Sequence, residues 1–191
     1  MENLPLYHKA VKVPVEFKEF EEPAGIFEER RCDISKVNKE FTEWLASLNA
    51  EIAVCLFFCS PPNKKYSLHV DGNYKQGEKY NCAKINIVFD SSDTVMHWYQ
   101  ALPGFEDGET FNNTIGRPVK YWNKKNCKVL HTTSANQSCL IDGSVIHDLE
   151  NGPNNGRFRK CYSLILKDKT SGEWLSWNDV VQRFKPFFHE L

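Results

Sequence analysis

From about residue 51 to residue 167 the chain is a succession of short β-branched and aromatic runs separated by turn residues, and this pattern constrains the fold more than any other feature. Strands are expected over residues 51–59, 65–71, 82–90, 94–101, 118–122, 128–133, 138–142, 144–148 and 157–167. The first reads as buried on both faces and is closed by Pro61-Pro62. Helix signals are few. A helix is expected over residues 33–48, with Asp33 or Ser35 as its cap and Ile34, Val37, Phe41, Trp44, Leu45 and Leu48 as an apolar stripe for the outside of a sheet. A short one is expected over 177–184 behind Ser176. Many short strands with the longer helix confined to the N-terminal part argue for a mainly β, two-sheet jelly roll, the double-stranded β-helix of cupin type. The Gly-, Asp- and Asn-rich stretch 102–116 is expected to be a mobile flap at its mouth.

At 191 residues the chain is expected to be a single domain. Residues 1–49 would supply N-terminal strands and the helix, 50–167 the jelly-roll core and 168–191 a C-terminal extension. The 24 basic and 25 acidic residues balance, which argues against a protein that coats nucleic acid. Lys120, Lys124, Lys125, Lys128, Lys160, Arg157 and Arg159 still leave room for a local basic lip. No apolar stretch is long enough to cross a bilayer, and the start, Met1-Glu2-Asn3-Leu4-Pro5, lacks the basic and apolar regions of a signal peptide. A cytoplasmic protein with no membrane partner is expected. Seven cysteines without a Cys-x-x-Cys pair favour reduced thiols over a disulfide framework or a structural zinc site.

The residues with chemistry to offer cluster around two of these strands. Alternation from Lys65 to Asp71 puts Ser67, His69 and Asp71 on one face, with Tyr66, Leu68 and Val70 on the other. Two ligands two residues apart can grip one metal. A second histidine, His147, follows the turn at Asp142-Gly143 in the β-branched run Ser144-Val145-Ile146. The turn cluster from Asn151 to Gly156 then opens a strand whose one face carries Arg157, Arg159, Cys161, Ser163 and Ile165. Two imidazoles and a carboxylate are the set that holds non-haem iron with positions left open. A guanidinium beside it suits a dicarboxylate.

With His69-Val70-Asp71, the distant His147 and Arg159 twelve positions beyond it, the chain resembles the 2-oxoglutarate- and iron(II)-dependent dioxygenases. Within them, Ser67-Leu68-His69-Val70-Asp71-Gly72, Ala83-Lys84-Ile85-Asn86-Ile87-Val88, Trp98-Tyr99, Asn151 and Arg159 followed by Ser163 look like the aspartyl/asparaginyl hydroxylase-like branch of phages and marine bacteria, over roughly residues 50–167. The resemblance implies Fe(II) on His69, Asp71 and His147, 2-oxoglutarate as co-substrate and O2 as oxidant. Arg159 would pair with the far carboxylate of 2-oxoglutarate, with Arg157, on the same face, as the alternative. Asn86, Ser163 and Tyr66 are candidates for further co-substrate hydrogen bonds; the alternative for Asn86 is an alternating strand whose Asn86 and Lys84 face solvent. The implied reaction is hydroxylation of an unactivated C–H bond, of a protein or peptide side chain, coupled to decarboxylation of 2-oxoglutarate to succinate. Free amino acids, nucleobases and small metabolites stay open as substrates.

His97, between Met96 and Trp98, reads as a substrate-pocket or packing residue; Trp98 and Trp122 would flank a substrate, and His8, His131 and His189 read as structural. Two other readings use the same residues: a cupin metalloenzyme that does not use 2-oxoglutarate, and an inert jelly-roll binding or structural module in which His69-Val70-Asp71 is incidental.

Overall fold

Two six-stranded antiparallel sheets take up the alternating segments of the chain. The computed structural model describes residues 7–21, 28–71, 82–112 and 118–189. Its strands are β1 (His8–Ala10), β2 (Glu28–Arg31), β3 (Ala50–Ser60), β4 (Leu68–Val70), β5 (Ala83–Phe89), β6 (Thr94–Ala101), β7 (Glu109–Asn112), β8 (Pro118–Trp122), β9 (Cys127–Ser134), β10 (Cys139–Asp142), β11 (His147–Asn151) and β12 (Arg159–Asp168). The first sheet has the order β1-β10-β5-β12-β3-β2 and the second β7-β8-β4-β11-β6-β9. Two helices, α1 (Lys39–Ser47) and α2 (Trp177–Phe184), accompany them. No helix among the described residues is long and apolar enough to cross a membrane. All seven cysteines are free thiols, six of them buried.

Alternation along β5 and β12 sends two different sets of side chains to the two faces of the first sheet. Ala83, Ile85 and Ile87 with Tyr162, Leu164 and Leu166 join Phe57 of β3, Phe41, Trp44 and Leu45 of α1, and Val180 and Phe184 of α2 in one large buried cluster. Each of the larger apolar side chains contributes about 1.5–3 kcal/mol by leaving water. The Tyr162 hydroxyl accepts the backbone N–H groups of Phe20 (3.0 Å) and Glu21 (2.9 Å), which fastens the N-terminal segment over this layer. The main apolar core therefore lies outside the first sheet. The opposite set, Lys84 and Asn86 on β5 with Arg159, Cys161 and Ser163 on β12, faces a cavity shared with the second sheet. Two smaller apolar clusters, one around Met96, Trp98 and Ile141 and one around Val54, Leu56 and Ile165, complete the interior.

Several sequence expectations need correction. The helix expected over 33–48 does not form as such: Asp33 caps a 3-10 turn, Ile34–Lys36, and α1 starts separately at Lys39 after Asn38. Val37 is extended (ψ 130°), which breaks the stripe between Ile34 and Phe41. The second helix stands where expected, with Ser176 and Asp179 forming a reciprocal cap. The strand around His147 begins at that residue and runs to Asn151, because the turn that starts at Asp142 extends through Ser144, whose N–H and hydroxyl both bond Asp142 Oδ1 (3.0 and 2.6 Å). Of the stretch 102–116, residues 109–112 form β7, an exposed edge strand; 113–116 lie outside the described residues.

Candidate metal centre

His69 and His147 stand directly opposite one another on the antiparallel pair β4 and β11, which puts both imidazoles on one face with ring centroids 4.6 Å apart. Nδ1 of His69 lies 2.7 Å from the Ser67 carbonyl, and Nδ1 of His147 lies 2.8 Å from the Val145 carbonyl. A carbonyl oxygen only accepts, so both Nδ1 atoms carry a proton, and Nε2 is the atom each ring has left for a ligand. Burial, and then His147, bring the pKa of His69 down to about 4, so this ring is neutral at neutral pH.

Asp71 follows β4 and is seated by the β10–β11 turn. Its N–H donates to the Gly143 carbonyl at 2.7 Å, while the Gly143 N–H donates to the Cys82 carbonyl at 2.8 Å. A Cβ on Gly143 would come within 2.9 Å of Asp71 Oδ2 and 3.0 Å of the Cys82 carbonyl, so the turn needs glycine for the carboxylate to fit. Asp71 Oδ2 lies 3.1 Å from His147 Nε2, and Oδ1 lies 3.7 Å from His69 Nε2. Burial would raise the pKa of Asp71; the Lys84 ammonium first, and His147 after it, hold it well below the usual carboxylate range. One donor atom from each of His69, Asp71 and His147 falls within 4.8 Å of the others. Two imidazoles and one carboxylate, converging and oriented by backbone carbonyls, fit a divalent first-row metal ion.

His69 and His147 border a cavity between the two sheets. Asn86 and Ser163, paired across β5 and β12, line it together with Arg159 and Tyr66. Asn86 Oδ1, Ser163 Oγ and Arg159 Nε are buried without a hydrogen-bond partner, and such atoms call for a polar ligand. Arg159 is 3 % exposed and has no carboxylate beside it among the described residues. Phe58, Met96, Ile141 and Leu149 supply apolar wall. The Tyr66 hydroxyl meets Ser60 Oγ, and burial pushes its pKa up to about 12. Alternation put Tyr66 on the face away from His69; it reaches the same cavity because the regular strand covers only Leu68–Val70 and residues 66 and 67 are irregular.

Arg157 does not reach the cavity. The 3-10 turn Asn154–Gly156 delays the strand to Arg159 and leaves Arg157 outside it, 69 % exposed and 3.9 Å from Asp90. The solvent-face alternative for Asn86 and Lys84 does not hold: Lys84 is 4 % exposed, and its ammonium sits on Asp71 Oδ2. The parity of β5 was the available signal: if Asn86 faces inward, so must Lys84. Met96, Ile141 and Leu149 carried no chemical mark in the sequence.

The remaining candidates fall elsewhere. His97 bonds Thr132 Oγ1 (2.9 Å) and pairs with Asp148 across the strands, and it does not line the cavity. Trp98 is fully buried beside His147 on β11 and is flanked by His8 and His131, with ring centroids 5.9 and 5.7 Å away. The Trp122 indole N–H bonds the Phe105 carbonyl at 3.1 Å. The basic lip is broken up by ion pairs: Lys120 with Asp107, Lys124 with Asp148 and Glu150, and Lys160 with Glu19 and Asp90.

No protein-family model matches the chain, and no curated protein matches it. Among solved structures it is similar to a non-haem monooxygenase, ThoJ, in its nickel complex, at 12 % identity and a TM-score of 0.35 over 78 % of this chain and 69 % of that one. So loose an overlap transfers no chemistry.

Proposed function

We propose that this chain is an iron(II)- and 2-oxoglutarate-dependent oxygenase of the jelly-roll type that hydroxylates an unactivated C–H bond. The observation that carries the reading is one cavity bordered both by His69 and His147, two of the three converging donors, and by Arg159, a buried guanidinium with no carboxylate of its own among the described residues. A buried cation needs a counter-charge, and a dicarboxylate co-substrate brings one. Iron held by the three donors would supply the oxygen-activating chemistry. The chain's part is to bind, orient and exclude water. The Ser67 and Val145 carbonyls keep both Nε2 lone pairs aimed inward, Arg159 fixes the far end of the co-substrate, and Asn86 and Ser163 offer it an amide and a hydroxyl. Met96, Ile141 and Leu149 keep the wall dry. A protein or peptide side chain is the proposed substrate, on the strength of the sequence resemblance, and a cytoplasmic setting goes with it.

Calorimetric titration of the purified protein with Mn(II), then with 2-oxoglutarate in the presence and absence of the metal, tests the reading. One metal per chain is expected, with 2-oxoglutarate bound only to the loaded protein. With Fe(II), ascorbate and fractionated cell extract, succinate should form together with a product heavier by one oxygen. A protein that binds neither metal nor co-substrate overturns the proposal, and one that binds metal alone points to a cupin metalloenzyme of another type.

A further inference from the structure

Lys84 lies on β5, in the interior of the first sheet, yet its ammonium crosses to Asp71, which continues from β4 of the second. The contact falls on Oδ2, the oxygen that also lies 3.1 Å from His147 Nε2, while Oδ1 is turned toward His69. Lys84 is 4 % exposed. A carboxylate has lone pairs for more than one cation, so one oxygen can take an ammonium and the other a metal. Resting on the metal-centre reading above, we propose that Lys84 is a positioning residue that acts as a resident counter-cation for Asp71: it keeps the carboxylate neutralised and aimed when no metal is bound, and it weakens metal binding.

Both halves follow from charge. A carboxylate largely enclosed between two sheets, with its side chain 20 % exposed, would destabilise the fold without a cation, and removing Asp71's partner would leave it uncompensated. Lys84 meets that need from within the chain, so assembly of the site does not depend on metal. The same ammonium is a like charge within a few ångströms of any divalent ion on Asp71, in surroundings that screen poorly. The centre is therefore set to take up and release its ion at moderate affinity.

The test compares the full-length protein with Lys84→Met, which keeps the side-chain volume and removes the charge. Mn(II) affinity is measured by titration, and melting temperature is measured with and without Mn(II). Lys84→Met is expected to bind Mn(II) at least tenfold more tightly, to melt lower than the unaltered protein without metal, and to gain more from adding it. Should the methionine variant fail to fold, Lys84→Gln, which keeps a hydrogen bond to Asp71 but not the charge, is expected to show the same tightening. Lys84→Arg, which keeps the charge, should bind Mn(II) within a few-fold of the unaltered protein. Equal or weaker Mn(II) binding by the uncharged variants overturns the proposal for Lys84 while leaving the metal centre standing. Absence of Mn(II) binding by the unaltered protein overturns the metal centre itself.

Discussion

His147 Nε2 lies 3.1 Å from Asp71 Oδ2, and the Nδ1 proton of that same ring is already committed to the Val145 carbonyl. Ring and carboxylate thus converge on a point where a cation can be shared between them. The Lys84 ammonium is one such cation and a metal ion would be another.

Gly143 governs how that carboxylate is seated. Gly143→Ala places a Cβ 2.9 Å from Asp71 Oδ2 and 3.0 Å from both Asp71 Cβ and the Cys82 carbonyl oxygen, and the last two cannot swing away. Mn(II) affinity is expected to fall by about 10- to 100-fold, the usual cost of disturbing a ligand's supporting contacts. Titration of the variant, with circular dichroism to establish that the sheets persist, checks this.

Arg159 and Arg157 should separate cleanly. Arg159→Met removes a charge-assisted contact and is expected to weaken 2-oxoglutarate binding by about 10- to 150-fold, corresponding to about 1.5–3 kcal/mol. Arg157→Met, at an exposed position, should stay within twofold. Without co-substrate, Arg159→Met should also melt higher than the unaltered protein, since it replaces an uncompensated buried cation with an apolar chain. Calorimetry and a thermal melt measure the two effects on the same samples.

His8 makes stability depend on pH. Burial, followed by the charges of His131 and Lys9, brings its pKa down to about 4. The unfolded chain, titrating near 6.5, then binds more protons than the native one between these values, so stability is full above about pH 6.5 and is lost as pH falls toward 4. Between pH 7.5 and 5 this group alone should remove about 2 kcal/mol. Urea unfolding at the two pH values should show that difference shrinking in His8→Phe; an unchanged slope would count against it.

Asn154 clasps the turn that delivers Arg159. Its side chain accepts the Ser92 N–H (2.7 Å) and donates to the Asp90 and Arg157 carbonyls, and its backbone sits at φ 47°. Asn154→Ala loses these bonds while keeping a left-handed residue, at a cost of about 3 kcal/mol. Asn154→Gly should recover about 1 kcal/mol of it, the backbone share. Chemical denaturation of both variants resolves the two parts.

What the sequence determined by itself was local. Period-two alternation placed His69 and Asp71 on one face, and turn residues marked most strands to within a few positions, because strand parity and turn chemistry are properties of neighbouring residues. The donor set and Arg159 were legible as chemistry for the same reason. Only the tertiary structure decided which imidazole stands opposite which, through the pairing of His69 with His147 across β4 and β11. It also decided which face of β5 carries the cavity, and so made Lys84 the partner of Asp71. Parity divides a strand into two faces without saying which is covered by helices and which by the other sheet. That choice depends on α1, α2 and residues 11–20 burying Ile85 and Leu164, contacts made by segments far apart in the chain.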